Sequence, residues 1–317
     1  MLSSPTPKAD APLFLVYNAR SGKGNAREAL DEVQDACDAA GRVLHPFPID
    51  PRHSPADQAR AAVAAARPAG GVVAVAGGDG TINAVAQAVV GSGCAFGVLP
   101  QGTFNYFGRN HGIPTETEAA VQNLMTGVPQ AVQVGRVNDR VFLVNASMGL
   151  YATLLEDREA FKSRYGRSRL MAFWAAVGTL TRRHRPWTLR LTSADGEKVV
   201  RTASLFVGNN ALQFQDVGVA EGDALQHGAL AGVLIRPRGV LAQLGLVLNG
   251  AMRKLDADED VQTLSFRSLL VEPAEGSRRL HVKVAADGEI ERMAMPLRFE
   301  VSKEPLWLIK PAAGTPA

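Results

Sequence analysis

Cysteine is nearly missing from this chain: Cys37 and Cys94 are the only two, each in an apolar stretch. That excludes a disulfide framework or a site built on several thiolates, and both are expected to be small core residues. Long apolar runs are missing as well. The longest candidate, Gly239 to Met252, is short and broken by Gln243 and Asn249, so no helix is expected to cross a bilayer. Neither sign of charge dominates. Lys and Arg number 34 against 31 Asp and Glu, for a formal net charge of +3, too mild to imply nucleic acid. Residues 1–12 are rich in Ser and Pro and lack the basic-then-apolar pattern of a secretory signal, so a flexible lead on a cytoplasmic protein is expected. There is no internal repeat, no GxGxxG dinucleotide fingerprint, and no GxxxxGK[ST] spacing around Ser21-Gly22-Lys23-Gly24.

What is present suits two domains, since 317 residues at 46% hydrophobic and 21% charged content can bury two cores. Residues 13–132 alternate short apolar runs with helical periodicity. Strands are expected at Leu13 to Tyr17, near Arg42 to Pro46, at Gly71 to Ala76 and at Ala95 to Leu99. Helices are expected at Asn25 to Ala40, from the Ser54-Pro55 cap to about Ala66, at Ile82 to Val90, and from a Thr115 or Thr117 cap to near Gly127. That rhythm predicts a Rossmann-like α/β domain with a mainly parallel sheet.

Residues 133–302 change to short alternating runs: Val132 to Val137, Val141 to Ala146, Thr188 to Thr192, Lys198 to Gly208, Ala229 to Ile235, Thr263 to Val271, His281 to Ala285 and Met293 to Val301. With hairpin turns at Asn138-Asp139 and Ala194-Asp195-Gly196-Glu197, they predict an antiparallel β-sandwich or barrel, interrupted by helical segments at Tyr151 to Arg183 and Val240 to Leu255. The last run, Leu306 to Ile309 within about 303–312, reads as a strand returning to the first domain.

Three loops carry chemistry. Gly77-Gly78-Asp79-Gly80-Thr81 stands between a buried strand and a helix, where glycines permit close backbone approach and the helix's first N–H groups face an anion. A carboxylate beside phosphate calls for a divalent cation or a proton to handle, so Asp79 points to phosphoryl chemistry and to metal. The loop after the first strand, Asn18-Ala19-Arg20-Ser21-Gly22-Lys23-Gly24, and the loop after the fourth, Pro100-Gln101-Gly102-Thr103-Phe104-Asn105, add donors and charge. In a parallel sheet all three share one edge. Alone, each is compatible with ordinary connector chemistry. Downstream, Ala286-Asp287-Gly288-Glu289 has the letters of a hairpin turn, as does its twin at Ala194 to Glu197, which is assigned to a plain turn.

Taken in order, these motifs resemble the diacylglycerol kinase catalytic family, which includes bacterial lipid kinases and sphingosine kinases and is related to NAD kinases. The resemblance covers nearly the whole chain: Asn18 to Gly24, Gly77 to Asn83, Leu99 to Phe107 with Gly112-Ile113-Pro114, Phe142 to Tyr151, Phe206 to Asn210 and Asp287-Gly288-Glu289. It implies an ATP-binding α/β domain, a β-sandwich domain that helps hold lipid, and an active-site cleft between them. Asn18, Arg20, Ser21, Gly22, Lys23, Gly77, Gly78, Gly80, Thr81, Asn83, Thr103 and Asn105 would hold ATP, with Asp79 near Mg²⁺ and the phosphates. Asp287 or Glu289 would take the proton from the lipid hydroxyl.

The sequence also departs from the family pattern. Ala84 stands where a Glu is usual, and Tyr106, Gln133 and His227 stand where acids hold a structural magnesium network, so that secondary site is expected to be lost. The basic stretch Arg158 to Arg185, interleaved with Phe161, Tyr165, Phe173 and Trp174, suits an anionic membrane surface and equally a solvated helix. The expectation is therefore an ATP-dependent lipid kinase that meets its substrate peripherally at a membrane, without nucleic acid. An NAD kinase-like small-molecule kinase and a non-catalytic nucleotide- or lipid-binding protein are the alternatives. Nothing in the sequence sets the oligomeric state, and a homodimer is compatible with it.

Overall fold

The computed structural model describes residues 4–18, 25–50, 52–149, 152, 186–217, 225, 228–237, 261–274 and 280–312. The chain divides into two compact units, Met1–Val134 with Ser302–Ala317, and Gly135–Val301.

The first unit runs β1 (Leu13–Asn18), α1 (Asn25–Ala39), β2 (Leu44–Ile49), α2 (Pro55–Ala69), β3 (Val72–Gly77), α3 (Asp79–Val89), β4 (Ala95–Pro100), α4 (Tyr106–Asn110), α5 (Thr117–Thr126) and β5 (Val128–Val132), and takes in the last strand, β18 (Leu306–Lys310). Its sheet has the order β2-β1-β3-β4-β18-β5. All neighbours are parallel except β18 and β5. Strands covered on both faces lose their polar alternation, and β3 and β4 are buried at every position. On one face Leu13, Leu15, Ala74 and Leu99 pack with Val33 and Cys37 of α1 and Val121 and Leu124 of α5. Helices α2 and α3 pack together, against β1 and β3 respectively. Both cysteines are buried and unbridged, as expected, and burial pushes their thiols above the ordinary range. Ahead of β1, Ala11 is buried and its carbonyl accepts from Arg42 Nε at 2.7 Å.

The second unit holds two six-stranded antiparallel sheets. One, in the order β10-β9-β14-β17-β6-β7, is built from β6 (Gly135–Val137), β7 (Arg140–Phe142), β9 (Trp187–Ser193), β10 (Gly196–Thr202), β14 (Ser268–Pro273) and β17 (Leu297–Val301). The other, β13-β12-β11-β8-β15-β16, is built from β8 (Asn145–Gly149), β11 (Ser204–Gly208), β12 (Leu230–Ile235), β13 (Val261–Phe266), β15 (His281–Ala286) and β16 (Glu289–Ala294). Their facing side chains form one core, with Phe142, Leu191, Leu269 and Phe299 from the first sheet against Met148, Leu205, Leu230 and Val284 from the second. A helix, α6 (Ala211–Val217), follows β11. The predicted fold class, α/β followed by an antiparallel sandwich, is the observed one, and the last strand returns to the first unit as expected.

Several element boundaries differ from the sequence reading. The helix expected at Ile82 starts at Asp79, because Gly78 already has the extended N-cap conformation and the Gly78 carbonyl accepts from Ile82 N–H. Neither Thr115 nor Thr117 caps α5; Glu116 occupies that position without a side-chain bond. The second strand lies later, at Leu44–Ile49, and α2 continues through Pro68 to Ala69, where Gly70 ends it in the left-handed conformation. Four runs read as single strands are pairs that cross from one sheet to the other: β7–β8, β10–β11, β13–β14 and β16–β17. The run Val132 to Val137 likewise divides into the end of β5 and β6. The helical segments expected at 151–183 and 240–255 lie outside the described residues, apart from Ala152.

Candidate functional site

In the first unit the strand order reverses between β1 and β3, because the chain goes from β1 to β2 on one side and to β3 on the other. Open α/β sheets bind ligands at such a point, beyond the carboxyl ends of the strands. Asn18 ends β1 and Gly77 ends β3 there. Arg20, Ser21, Gly22 and Lys23, which follow Asn18, lie outside the described residues.

Gly78 and Gly102 bring the turns after β3 and β4 into contact. A Cβ on Gly102 would sit 2.9 Å from the Gly78 Cα, and one on Gly78 would sit 3.3 Å from the Gly102 Cα. The Gln101 N–H donates to the Gly77 carbonyl at 2.9 Å, and Asn105 Oδ1 accepts from Gly102 N–H at 2.8 Å. Asn105 is buried and left-handed (φ 50°), while Thr103 is exposed. Gly77 is glycine for a local reason: a Cβ there would lie 2.8 Å from Thr81 Cβ. Among the described residues Gly80 has no such reason, since a Cβ there meets nothing within 4 Å.

Asp79 is the first residue of α3, where a carboxylate is favoured by the helix dipole. Its oxygens also reach the start of α4: Oδ2 accepts from Tyr106 N–H at 3.3 Å and Oδ1 from Phe107 N–H at 3.2 Å. The acid thus ties one helix to the next and satisfies two N–H groups that α4 leaves without an intrahelical acceptor. Asn83 is buried one turn further along α3.

In the second unit Asp287 and Gly288 are the two central residues of the β15–β16 hairpin, both with positive φ (47° and 90°), as a type I′ turn requires. The turn is more than a connector. Asp287 Oδ1 accepts from the N–H groups of Val144 and Asn145, both at 2.9 Å, and Oδ2 from Leu143 N–H at 2.6 Å. Asn209 Nδ2 donates to the Leu143 carbonyl, and Asn145 Nδ2 donates to Gln213 Oε1, which fixes the segment that Asp287 holds. Glu289 is exposed and paired with Arg140. The twin turn has none of this: Asp195 is exposed, and its N–H donates to Ser193 Oγ within the same hairpin.

The structure therefore gathers Asn18, Gly77, Gly78, Asp79, Gly80, Thr81, Asn83, Thr103 and Asn105 on one sheet edge, and Asp287 with Glu289 on one hairpin. Arg140 and Gln213 were not legible as site residues, because their partners are 149 and 68 positions away. The exposed Phe104 ring, stacked on Tyr106 with centroids 5.6 Å apart, was visible only as part of a loop.

For Mg²⁺, the described residues hold no group of three or more His, Cys, Asp or Glu that could form a protein cage. One carboxylate at a glycine-rich turn would fit a magnesium ion that arrives with its ligand and keeps its waters. Tyr106 and Gln133 supply no carboxylate for a second ion, and His227 lies outside the described residues.

Comparison with known proteins agrees with the loop geometry. Residues 12–137 match the diacylglycerol kinase catalytic domain. Over 160 residues the chain is 33% identical to an Enterobacter protein named probable lipid kinase YegS-like, covering 48% of this chain and 51% of that one. It is 39% identical over 98 residues to a Klebsiella pneumoniae protein of the same name (30% and 33%), and 30% identical over 155 residues to an uncharacterized Synechocystis protein (46% and 36%). The matches thus span about a third to a half of these relatives' length. A crystal structure of a diacylglycerol kinase from Bacillus anthracis superposes with a TM-score of 0.66 at 16% identity, covering 96% of this chain and 98% of that one. A candidate diacylglycerol kinase from the same organism gives 0.69 at 18%, with the same coverage. The fold is shared with these structures, and residues 12–137 are similar to the diacylglycerol kinase catalytic domain. No described helix is long and apolar enough to cross a membrane.

Proposed function

We propose that the protein is an ATP-dependent lipid kinase of the diacylglycerol kinase type, which transfers the γ-phosphoryl group to a hydroxyl of diacylglycerol or a related lipid. The observation that carries this reading is the first turn of α3. There, no atom of the described residues would meet a Cβ on Gly80, beside Asp79 and the N–H groups of a helix start. Phosphate oxygens suit that turn, and a magnesium ion bound with ATP would offset the repulsion between them and Asp79. Phosphoryl transfer needs positioning, charge neutralisation and removal of one proton. Asp287 is the candidate to accept that proton, since the N–H groups of residues 143–145 hold its carboxylate in one orientation. Glu289, paired with Arg140, is the second candidate base. The relatives named as lipid kinases support a lipid acceptor. Contact with an anionic bilayer through residues 158–185 belongs to the same reading.

The test is transfer of label from γ-labelled ATP to diacylglycerol, monoacylglycerol and a sphingoid base in mixed micelles. Wild type should label at least one. Asp79→Asn should lose about hundredfold or more of the rate, and Asp287→Asn a comparable amount, as expected when a proton acceptor is removed. Glu289→Gln should lose far less if Asp287 is the base. Because Asp287 also holds the 143–145 backbone, its variant is compared by thermal melting as well as by rate. Label on NAD and on no lipid would overturn the lipid assignment. Nucleotide binding without transfer to any acceptor would overturn the enzyme.

A further inference from the structure

We propose that Ser147 is a specificity-determining residue for the phosphoryl acceptor: its hydroxyl donates to an ester carbonyl of the acceptor, so that acylglycerols are chosen over alcohols that lack one. This rests on the kinase reading and goes further, to the group recognised beside the reacting hydroxyl.

Strand β8 alternates between two surroundings. Ala146 and Met148 belong to the sandwich core, so Asn145 and Ser147 face the other side of their sheet. Around Ser147 that side is apolar. Its strand neighbours are Phe206 of β11 and Ala285 of β15, and Phe206 packs with Phe214 of α6 and with Ala231 and Val233 of β12. Ser147 is fully buried there, and among the described residues its Oγ has no hydrogen-bond partner.

Other buried hydroxyls of this unit are satisfied. Thr202 donates to the Ser204 and Ile235 carbonyls, and Ser204 donates to the Met148 carbonyl at 2.8 Å. Asn145, on the same face as Ser147, has its Nδ2 committed to Gln213 Oε1 at 2.9 Å. A buried hydroxyl left without a partner destabilises a fold, and alanine would fill the strand without that penalty. The fold alone therefore gives no reason for serine.

Its place along β8 supplies one. At the start of this strand Asp287 is held, with the Asn145 N–H donating to its Oδ1 at 2.9 Å. Ser147 stands about 7 Å further on at the usual strand rise. An acylglycerol with its free hydroxyl at Asp287 can bring an ester carbonyl across that distance, once a hydrogen bond is added at each end. On an apolar face a neutral carbonyl needs only one donor, whereas the ammonium group of a sphingoid base would be buried with its charge unpaired.

The test compares diacylglycerol with a dialkylglycerol of the same chain length, in which ethers replace the esters, as acceptors of label from γ-labelled ATP in mixed micelles. Wild type should favour the diester about tenfold or more in kcat/KM, as expected when a site built around a hydrogen bond meets a substrate that lacks the partner. Ser147→Ala should lose about tenfold on the diester and bring the ratio close to one. Its melting midpoint without ATP or lipid should equal or exceed that of wild type, because the hydroxyl gives no bond to the fold. A wild-type ratio near one, or an unchanged ratio in the variant, as a trapped water at Ser147 would leave it, overturns the proposal while the kinase reading stands. A lowered midpoint in the variant also overturns it, since the hydroxyl would then serve the fold. Label on a sphingoid base alone would sink this inference and leave a lipid kinase; label on no lipid would remove the kinase reading as well.

Discussion

Among the described residues nothing demands glycine at Gly80, whereas Gly102 meets a strict demand. Gly80→Ala should fold as well as wild type, or up to about 1 kcal/mol better, since alanine is the better helix former. If phosphate occupies the open space, the same change should weaken ATP binding about tenfold, the equivalent of roughly 1.4 kcal/mol. Gly102→Ala should instead cost about 1–3 kcal/mol of stability, because its Cβ would press on the Gly78 Cα and on Asn105 Oδ1. Chemical denaturation and nucleotide titration of the two variants separate these effects. Loss of stability in Gly80→Ala with unchanged ATP affinity would mean that this glycine serves the fold. Asp79 and Asp287 share a feature that no sequence pattern announces: each carboxylate accepts backbone N–H groups from a distant segment, 27–28 positions away for Asp79 and 142–144 for Asp287. The residue types were legible, but these partners depend on the tertiary fold.

Helix α2 shows how well local rules work when they are local. Ser54 Oγ accepts from Asp57 N–H at 3.1 Å and donates to Asp57 Oδ2 at 2.7 Å, with Pro55 in the first turn, as the letters predicted. Ser54→Ala should lower stability by about 1 kcal/mol, measurable as a shift in urea midpoint without a change in slope. The sandwich strands behaved differently. In Lys198 to Gly208 the chain leaves one sheet at Thr202 and enters the other at Ser204, and the Thr202 hydroxyl donates to the Ser204 and Ile235 carbonyls at that corner. An inward-facing residue in one sheet is followed across the corner by inward-facing residues in the next, so the apolar alternation hardly registers the crossing. The fold class survived that blindness, while the strand count did not.

For the molecule as a whole, the meeting of the turns after β3 and β4 was legible because parallel strands must send their carboxyl-end turns to one edge, whatever the boundary errors. Stability should carry a signature of the first unit in its pH dependence. Burial, with a smaller contribution from Lys310, lowers His111 from 6.5 to about 4. The unfolded chain therefore binds the His111 proton more readily than the folded one, and stability must fall as pH drops from 6.5 toward about 4. Phe107 packs against this ring with 70° between the two planes. His111→Gln should flatten that part of the melting-temperature profile relative to wild type. An unchanged slope would mean that other groups set the acid limit.

Strand β18 has its seat between β4 and β5, yet all of the second unit is encoded ahead of it. A ribosome must therefore release residues 135–301 before the six-stranded sheet can be completed. Throughout that interval β4 and β5 each offer an unpaired edge, which makes the nascent first unit a natural client for chaperones, while the strands of the sandwich, contiguous in the message, can pair as they emerge.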